Sequence, residues 1–272
     1  MLHKSGSKIV AVVSRNKRSA RTCARQVACR NYSNDVSVVP SGCDLVVIAV
    51  PDRSIRRVAE SLAALSHLEF RRTAVCHTSG ALSSDVLEPL AHIGARVFSL
   101  HPIQTFPAKK PLRDQVRSMR GITYGYEGPR ACLSTAKRIT RRLGGELLVV
   151  PKEAKILYHL VCVIASNYPT ALVGAVETIV GQFSRRGLQP FRKLIETSID
   201  NAISSGAARA LTGPIVRGDA AIVQAHLKAM SDPKLKALYK SLGLYALKLT
   251  SEEHRLPSKE TKRLRVLLGS RT

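Results

Sequence analysis

The order of apolar runs along the chain is the feature that most constrains its fold. Residues 8–151 alternate short β-branched runs with segments long enough to form helices, and the strand-like runs stop after Pro151. Continuous apolar runs are typical of strands covered on both faces, and alternation with helices is typical of a parallel sheet with crossover connections. The sequence therefore predicts an α/β, doubly wound parallel sheet followed by an all-helical domain.

Six strands are predicted before Pro151 and five helices after it. The predicted strands are Lys8–Ser14, Asp44–Val50, Thr73–Thr78, Arg96–His101, Gly121–Tyr126 and Glu146–Pro151. The predicted helices, which carry helical spacing of apolar residues, are Glu153–Gln182, Gln189–Ser204, Asp219–Met230, Pro233–Thr250 and Lys259–Leu268. The change of pattern places a domain boundary near Lys152, which divides the chain into residues 1–151 and 152–272.

Composition excludes several classes of protein. The chain has 272 residues, of which 44% are hydrophobic, and this is enough for a packed core. The six cysteines lie far apart and form no Cys-x-x-Cys pair, so we predict neither a metal site nor a disulfide framework, and we expect a cytoplasmic location. The longest apolar run, around Leu160–Val180, contains Asn167, Pro169 and Glu177, so we predict a soluble protein without a membrane segment.

The net charge of +24 raises the hypothesis of a basic nucleic-acid-binding protein. Residues 1–34 hold eight Lys or Arg side chains and no Asp or Glu. The aromatic content of 4%, the lack of Trp for base stacking and the lack of a known reader motif argue against this hypothesis. The alternative for the charge is a solvated basic surface.

The chain lacks the glycine motif by which many α/β proteins hold a dinucleotide. In G-x-G-x-x-G, glycines after the first strand let the backbone approach the pyrophosphate, and this motif occurs nowhere in the sequence. The residue that reads the ribose normally lies about 20 positions further on, at the end of the second strand. Ser14-Arg15-Asn16 occupies a strand end of that type, so we predict a sheet whose first strand and Gly-rich turn are missing.

Arg15 favours NADP over NAD, because a guanidinium suits the 2′-phosphate where NAD-selective proteins place a carboxylate. The alternative is that Ser14-Arg15-Asn16 is an ordinary turn from strand to helix, with Ser14 or Asn16 as the N-cap.

Polar residues also follow the other predicted strands, where ligands bind in open parallel sheets. Hydride transfer requires a group that moves a proton on the substrate heteroatom, and the candidates are His77, His101, Lys155 and His159. Lys155 and His159 lie at i and i+4 of one predicted helix, so they share a face. The positive charge of Lys155 disfavours a second positive charge on the His159 imidazole. His101 precedes a proline at a strand end and is preferred to His77. Alternatively, Lys155 is an ordinary surface lysine of the helix, and the histidines are structural residues that hydrogen-bond to local backbone.

Further polar residues lie in the helical half. Asn167 is about 80° round the helix from His159, at roughly 100° per residue. A turn with Thr212 and Arg217 offers a hydroxyl and a guanidinium to a carboxylate or phosphate. Alternatively, Asp219 caps the next helix and Arg217 is its ion-pair partner. The candidate substrate contacts are Asn167, Asn201, Thr212 and Arg217.

Several segments occur in a characteristic order: Ser14-Arg15-Asn16, DLVVIAVPD, HTSGALSSDVLEPL, SLHPIQTF, KILYH…SN and LTGPIVRGD. On these segments the chain resembles Rossmann-like oxidoreductases whose helical C-terminal half is a domain of unknown function. These are relatives of pyrroline-5-carboxylate reductase, of deazaflavin-dependent NADP reductases and of β-hydroxyacid dehydrogenases. The resemblance covers about residues 8–250. It implies an NADP-binding domain in residues 1–151, and a helical domain in residues 152–272 that contacts a small-molecule substrate and forms a homodimer.

The resemblance also implies roles for individual residues. The implied activity is hydride transfer between NADP and a small C=O or C=N substrate, with Lys155, His159 and His101 as the catalytic candidates. The β-hydroxyacid dehydrogenases carry a Lys-x-x-x-Asn pattern at a similar helix. Here Lys155 matches the lysine of that pattern, and His159 stands where the pattern has asparagine. The residues implied to contact the cofactor are Ser14, Arg15 and Asn16 at the adenosine phosphate, and Val50, Pro51, Asp52, Thr78 and Ser79 at the nicotinamide.

The missing glycine motif supports a rival hypothesis, a truncated and catalytically inactive paralogue or a gene model that starts at the wrong codon. The first strand of a Rossmann sheet is central, so its loss leaves two strands with unpaired backbone groups. On this hypothesis NADP binding is impaired. We expect the chain to bind NADP at least about tenfold more weakly than a form extended upstream by a strand, Gly-rich turn and helix.

Overall fold

A computed structural model describes residues 1–252 and 256–269 of the chain. It forms two compact units, Met1–Pro169 and Thr170–Thr272. The predicted domain boundary near Lys152 stays a prediction, because the compact units divide the chain inside a helix that begins at Lys155. The strands are β1 (Val12–Val13), β2 (Tyr32–Ser33), β3 (Leu45–Ile48), β4 (Ala74–His77), β5 (Arg96–Pro102), β6 (Thr123–Glu127) and β7 (Glu146–Val149).

The helices follow the predicted change of pattern along the chain. Five accompany the strands: α1 (Lys17–Gln26), α2 (Asp52–Ala63), α3 (Glu88–His92), α4 (Leu112–Ser118) and α5 (Leu133–Arg142). The remaining six are α6 (Lys155–Val180), α7 (Arg192–Ser205), α8 (Ala207–Ala210), α9 (Ala220–Ala229), α10 (Pro233–Glu252) and α11 (Ser258–Leu268). The predicted fold class, an α/β sheet followed by a helical region, is confirmed.

The first unit contains two sheets. β1 and β2 form a parallel pair, and the other strands form a five-stranded sheet in the order β3-β4-β5-β6-β7. Val13 of β1 packs against the same hydrophobic core as Ile48 of β3, although the two strands belong to different sheets. The predicted lack of a central strand stays a prediction. The predicted strand Lys8–Ser14 is reduced to Val12–Val13, because within residues 1–252 and 256–269 it pairs with the equally short β2 alone.

One feature of the predicted sheet is wrong, because β5 and β6 run antiparallel while the other strand pairs in the described part of the chain are parallel. In their register, Ser99 lies opposite Glu127 and His101 opposite Gly125. A strand buried on both faces has the same continuous apolar run in either direction, so the sequence pattern reports burial and not direction.

Both faces of the five-stranded sheet are covered at its inner strands, as the apolar runs predicted, whereas the edge strand β7 is largely exposed. Val75 of β4 joins one core with Ile55 and Leu62 of α2, whereas its neighbour Cys76 joins a second core with Ile139 of α5. Successive side chains of a strand point to opposite faces. The helices therefore pack on both sides of the sheet, which is the doubly wound arrangement.

The second unit has a core of its own, formed by Ile215, Val223, Leu247, Leu264 and Leu268 with their neighbours. Among the described residues, the stretch Lys152–Val180 is long and apolar enough to cross a membrane, judged only by length and composition. The core helix of a soluble protein passes the same test.

Candidate functional site

Polar side chains from four elements meet around the ends of β4 and β5. The loop after β4 and the last residues of β5 lie beside the N-terminus of α2 and the first two turns of α6. The group consists of Asp52, His77, Ser79, Ser99, His101, Lys155, Tyr158 and His159.

His77 holds the loop that follows β4. Its side chain is fully buried, its Nδ1 lies 3.2 Å from the Ser79 backbone nitrogen, and its Nε2 lies 3.1 Å from the Ser83 carbonyl oxygen. A backbone N–H can only donate, so Nδ1 accepts and the ring proton lies on Nε2. Burial lowers the pKa of His77 to about 4, so the ring is uncharged at neutral pH. Both ring nitrogens of His77 are therefore committed to local backbone.

Ser79 links this loop to α2. Its hydroxyl donates to Asp52 Oδ2 at 2.9 Å and accepts from the backbone nitrogens of Ala81 and Leu82 at 3.2 and 3.0 Å. Of the five residues implied to line the nicotinamide side, the structure joins Asp52 and Ser79 directly. Val50 and Thr78 are partly buried next to them in the chain, and Pro51 is the exposed N-cap of α2.

Lys155 points into the first unit and not into solvent. Its side chain is 2% exposed, and its Nζ donates to Ser99 Oγ at 2.8 Å. Ser99 Oγ in turn donates to the Ser79 carbonyl oxygen at 3.2 Å. Burial lowers the pKa of Lys155, and the Glu127 carboxylate partly opposes this shift. This geometry suits a residue that acts through its neighbours better than one that contacts a substrate.

His101 is held by a tyrosine that the sequence analysis missed. Its Nδ1 lies 2.7 Å from Tyr158 Oη, and the two rings meet edge to face with centroids 5.7 Å apart. A Cβ on Gly125, opposite His101 in β6, would overlap the Tyr158 hydroxyl. A glycine inside a buried strand marks a close approach of another group, and this signal was available in the sequence.

The charge on His101 is disfavoured by its surroundings. Burial lowers the pKa of His101 to about 4, with further lowering by Lys155 and His159 and a smaller opposing effect from Asp52. Its Nε2 has no hydrogen-bond partner within the described part of the chain. At neutral pH the site therefore presents an uncharged imidazole with one nitrogen unoccupied.

His159 lies near His101 across a glycine. A Cβ on Gly80 would lie 2.8 Å from His159 Cδ2 and 3.0 Å from His101 Nε2. Both rings therefore rest against Gly80, and the structure brings all three catalytic candidates, Lys155, His159 and His101, around the same strand ends.

The residues implied to hold the adenosine phosphate lie at the end of β1. Asn16 is the N-cap of α1, where its Oδ1 accepts from the Ser19 backbone nitrogen at 2.8 Å. Ser14 donates its backbone N–H to Ser33 of β2 at 3.1 Å. Arg15 is exposed, and no ion pair to it occurs in residues 1–252 or 256–269. The ordinary strand-to-helix turn is thus present, and it leaves the Arg15 guanidinium available.

The candidate substrate contacts belong to both units of the chain. Asn167 is exposed on α6, about 12 Å along the helix axis from His159 at 1.5 Å per residue. Asn201, Thr212 and Arg217 are exposed in the second unit. Asp219 caps α9 by accepting from the Ile222 backbone nitrogen at 3.1 Å. Within the described residues, no group of three or more His, Cys, Asp or Glu side chains is placed to hold a metal ion.

Comparison with known proteins identifies two domains. Residues 1–102 match the model of the Rossmann-like domain, and residues 122–246 match the domain of unknown function DUF2520. No curated protein sequence matches the chain.

Solved structures share the fold over nearly the whole chain. Protein TM1727 from Thermotoga maritima is 26% identical, with a TM-score of 0.68 over 91% of this chain and 92% of that chain. The Bacteroides fragilis protein named "putative NADP oxidoreductase BF3122" is 20% identical, with a TM-score of 0.75 and 91% of each chain covered. An imine reductase from Myxococcus stipitatus in complex with NADP⁺ is 12% identical, with a TM-score of 0.54 over 93% of this chain and 88% of that chain. The chain thus carries a match to a Rossmann-like domain followed by a match to a DUF2520 domain, and its fold is similar to the folds of these structures.

Proposed function

We propose that the protein is an NADP-linked oxidoreductase that transfers a hydride to or from a small C=O or C=N substrate. The observation that carries this proposal is His101, an uncharged imidazole at a strand end whose Nδ1 is held by Tyr158 and whose Nε2 is unoccupied. The names of two structural relatives, an NADP oxidoreductase and an imine reductase with NADP⁺ bound, support the same class of reaction.

The residues present fit the two ends of NADP. At the adenosine end, the exposed Arg15 has the charge and the planar donors that a 2′-phosphate needs. At the other end, Asp52 and Ser79 are fixed to each other beside His101. When bound there, the nicotinamide would supply or accept the hydride.

The residues present do not fit the diphosphate equally well. Its usual cradle is a Gly-rich turn between a strand and a helix. The motif G-x-G-x-x-G occurs nowhere in the sequence, and Ser14–Asn16, at the strand end assigned to the ribose, contains no glycine and already caps α1 through Asn16. We therefore propose that NADP binds through its two ends and with reduced affinity.

Three residues of the protein, His101, Lys155 and His159, have different roles in the proposed reaction. His101 is positioned to share a proton with the substrate heteroatom through Nε2, the first requirement of general acid–base catalysis. Lys155 fixes Ser99 and, through its charge, disfavours protonation of His101. His159 packs against Gly80 and forms a wall beside His101.

We also propose that the protein is a cytoplasmic homodimer assembled through the helical half. Apolar side chains on α6 are strongly exposed, with 69% for Ile156, 63% for Leu157 and 59% for Val161, and Ile203 on α7 is 79% exposed. Large apolar side chains exposed this strongly within two turns of α6 are typical of an interaction site.

Nucleotide titration tests the cofactor proposal. We expect NADPH to bind more tightly than NADH, and Arg15→Ala to remove this difference by weakening only NADPH. Arg138→Ala, which removes an exposed arginine from α5, is the matched control and should bind both nucleotides like the unaltered protein. The proposal is overturned if neither nucleotide binds at millimolar concentration, or if Arg138→Ala and Arg15→Ala have the same effect.

A further inference from the structure

Two histidines at neighbouring strand ends use their ring nitrogens differently. In His77, a backbone N–H donates to Nδ1 and the Nε2 proton is directed at the Ser83 carbonyl oxygen. In His101, only Nδ1 has a partner within the described residues, and that partner is the Tyr158 hydroxyl. The position of the His101 proton therefore depends on which way the bond to Tyr158 runs.

We infer that Tyr158 is a positioning residue that donates its hydroxyl hydrogen to His101 Nδ1 and so fixes the imidazole proton on Nε2, the nitrogen on the side of Gly80. The separation of 2.7 Å between Oη and Nδ1 is that of a short hydrogen bond, whichever group donates. An imidazole nitrogen is a much stronger base than a phenol oxygen, so the Tyr158 hydroxyl is the donor and Nδ1 the acceptor. Gly125 makes this approach possible, because any larger residue would occupy the place of the hydroxyl.

The groups around His101 favour this state over a doubly protonated ring. Lys155 from α6, His159 from α6 and His77 from β4 all disfavour a positive charge on His101, and only Asp52 from α2 favours it. Lys155 is also packed near Tyr158, with Nζ 5.3 Å from the ring centroid. The imidazole is thus kept uncharged, and Tyr158 selects between its two tautomers.

The tautomer determines which substrates the site accepts, and this step rests on the proposed function. An Nε2–H group donates a hydrogen bond, so it requires a substrate atom with a free lone pair. A carbonyl oxygen and an unprotonated imine nitrogen have one, whereas a protonated iminium has none. The reducible group is therefore an uncharged C=O or C=N group, bound with its heteroatom at His101.

The tautomer can be measured directly by nitrogen NMR on the full chain labelled at histidine, without nucleotide or substrate. We expect the unaltered protein at neutral pH to show His101 with a bare Nδ1 and a protonated Nε2, and His101→Gln assigns the signals. The opposite tautomer or a charged ring in the unaltered protein overturns the inference without any other variant.

A second histidine–tyrosine pair provides a matched control. In the second unit, His226 Nδ1 lies 2.9 Å from Tyr239 Oη, with the rings again edge to face. We expect Tyr158→Phe to lower the tautomer ratio of His101 by about fivefold to tenfold, the effect of losing one hydrogen bond. Tyr239→Phe should leave His101 unchanged, and His77 should not respond to either variant. An unchanged His101 in folded Tyr158→Phe overturns the inference.

These measurements separate the inference from the proposed function. If no nucleotide binds and no carbonyl compound is reduced, the proposed function fails while the tautomer result stands on its own. If carbonyl reduction is observed, we expect Tyr158→Phe to lower kcat with little change in KM, because the lost contact orients the proton donor and does not bind the substrate. A Tyr158→Phe enzyme with unchanged kcat refutes the positioning role.

Discussion

Burial of His77 makes the stability of the first unit depend on pH in a defined way. The pKa of His77 is about 4 in the folded protein against an ordinary value of 6.5, so the unfolded chain binds a proton at a pH where the folded protein does not. Stability is therefore complete above pH 6.5 and is lost as the pH falls towards 4. For this shift, linkage gives a loss of about 2.5 kcal/mol between pH 7 and pH 4.5.

His77→Asn isolates this effect. The Asn oxygen can still accept from the Ser79 backbone nitrogen, but the variant does not titrate and loses the bond to the Ser83 carbonyl, at a cost of about 1–2 kcal/mol at pH 7. Urea unfolding followed by circular dichroism at pH 7 and pH 4.5 gives the two free energies. We expect the variant to be less stable at pH 7 and equal or more stable at pH 4.5. A difference that is the same at both pH values refutes the reasoning.

Three further predictions concern other parts of the protein. Glu127→Gln places an amide where a buried carboxylate accepts two bonds, 2.6 and 2.9 Å long, and we expect thermal unfolding to show a loss of about 1–3 kcal/mol. Gly125→Ala should lower the free energy of unfolding by about 1–3 kcal/mol because its Cβ overpacks the core. Gly174→Ala on α6, where the Cβ position is open space, should raise the free energy of unfolding by up to about 1 kcal/mol, and equal effects of the two variants in urea unfolding contradict this. Replacing the exposed Ile156 and Val161 by Lys should convert the proposed dimer to a folded monomer, which light scattering measures as a halved molecular mass. An unaltered protein that is already monomeric refutes the dimer.

Much of the fold follows from the sequence because the inner strands β4, β5 and β6 of the five-stranded sheet are largely buried, whereas the edge strands β3 and β7 are partly exposed. The runs Thr73–Thr78 and Arg96–His101 coincide with β4 and β5 to within a residue. A short continuous apolar run bounded by polar residues is typical of a strand that is covered on both faces. The direction of β6 does not follow, because burial is the same in a parallel and an antiparallel strand. β2 has two residues and is too short to show a pattern of apolar and polar residues in the sequence.

The candidate site was predictable in place but not in detail. Strand ends carry ligands in open sheets, so His101 and Ser79 could be named from their positions alone. Helical spacing put Lys155 and His159 on one face of α6, but it could not show that Lys155 turns inwards to Ser99. Tyr158 could not be found from helical spacing either, because its role depends on the space above Gly125 in a distant strand.

The most direct test of the account is to titrate the histidine-labelled protein with NADPH and with NADH and to follow the nitrogen signals of His101. The account predicts that NADPH binds at lower concentration than NADH, and that binding shifts His101 Nε2 while His226 in the second unit does not respond. If NADPH at millimolar concentration leaves His101 unchanged, the site at the ends of β4 and β5 is not a nicotinamide site and the proposed function is wrong.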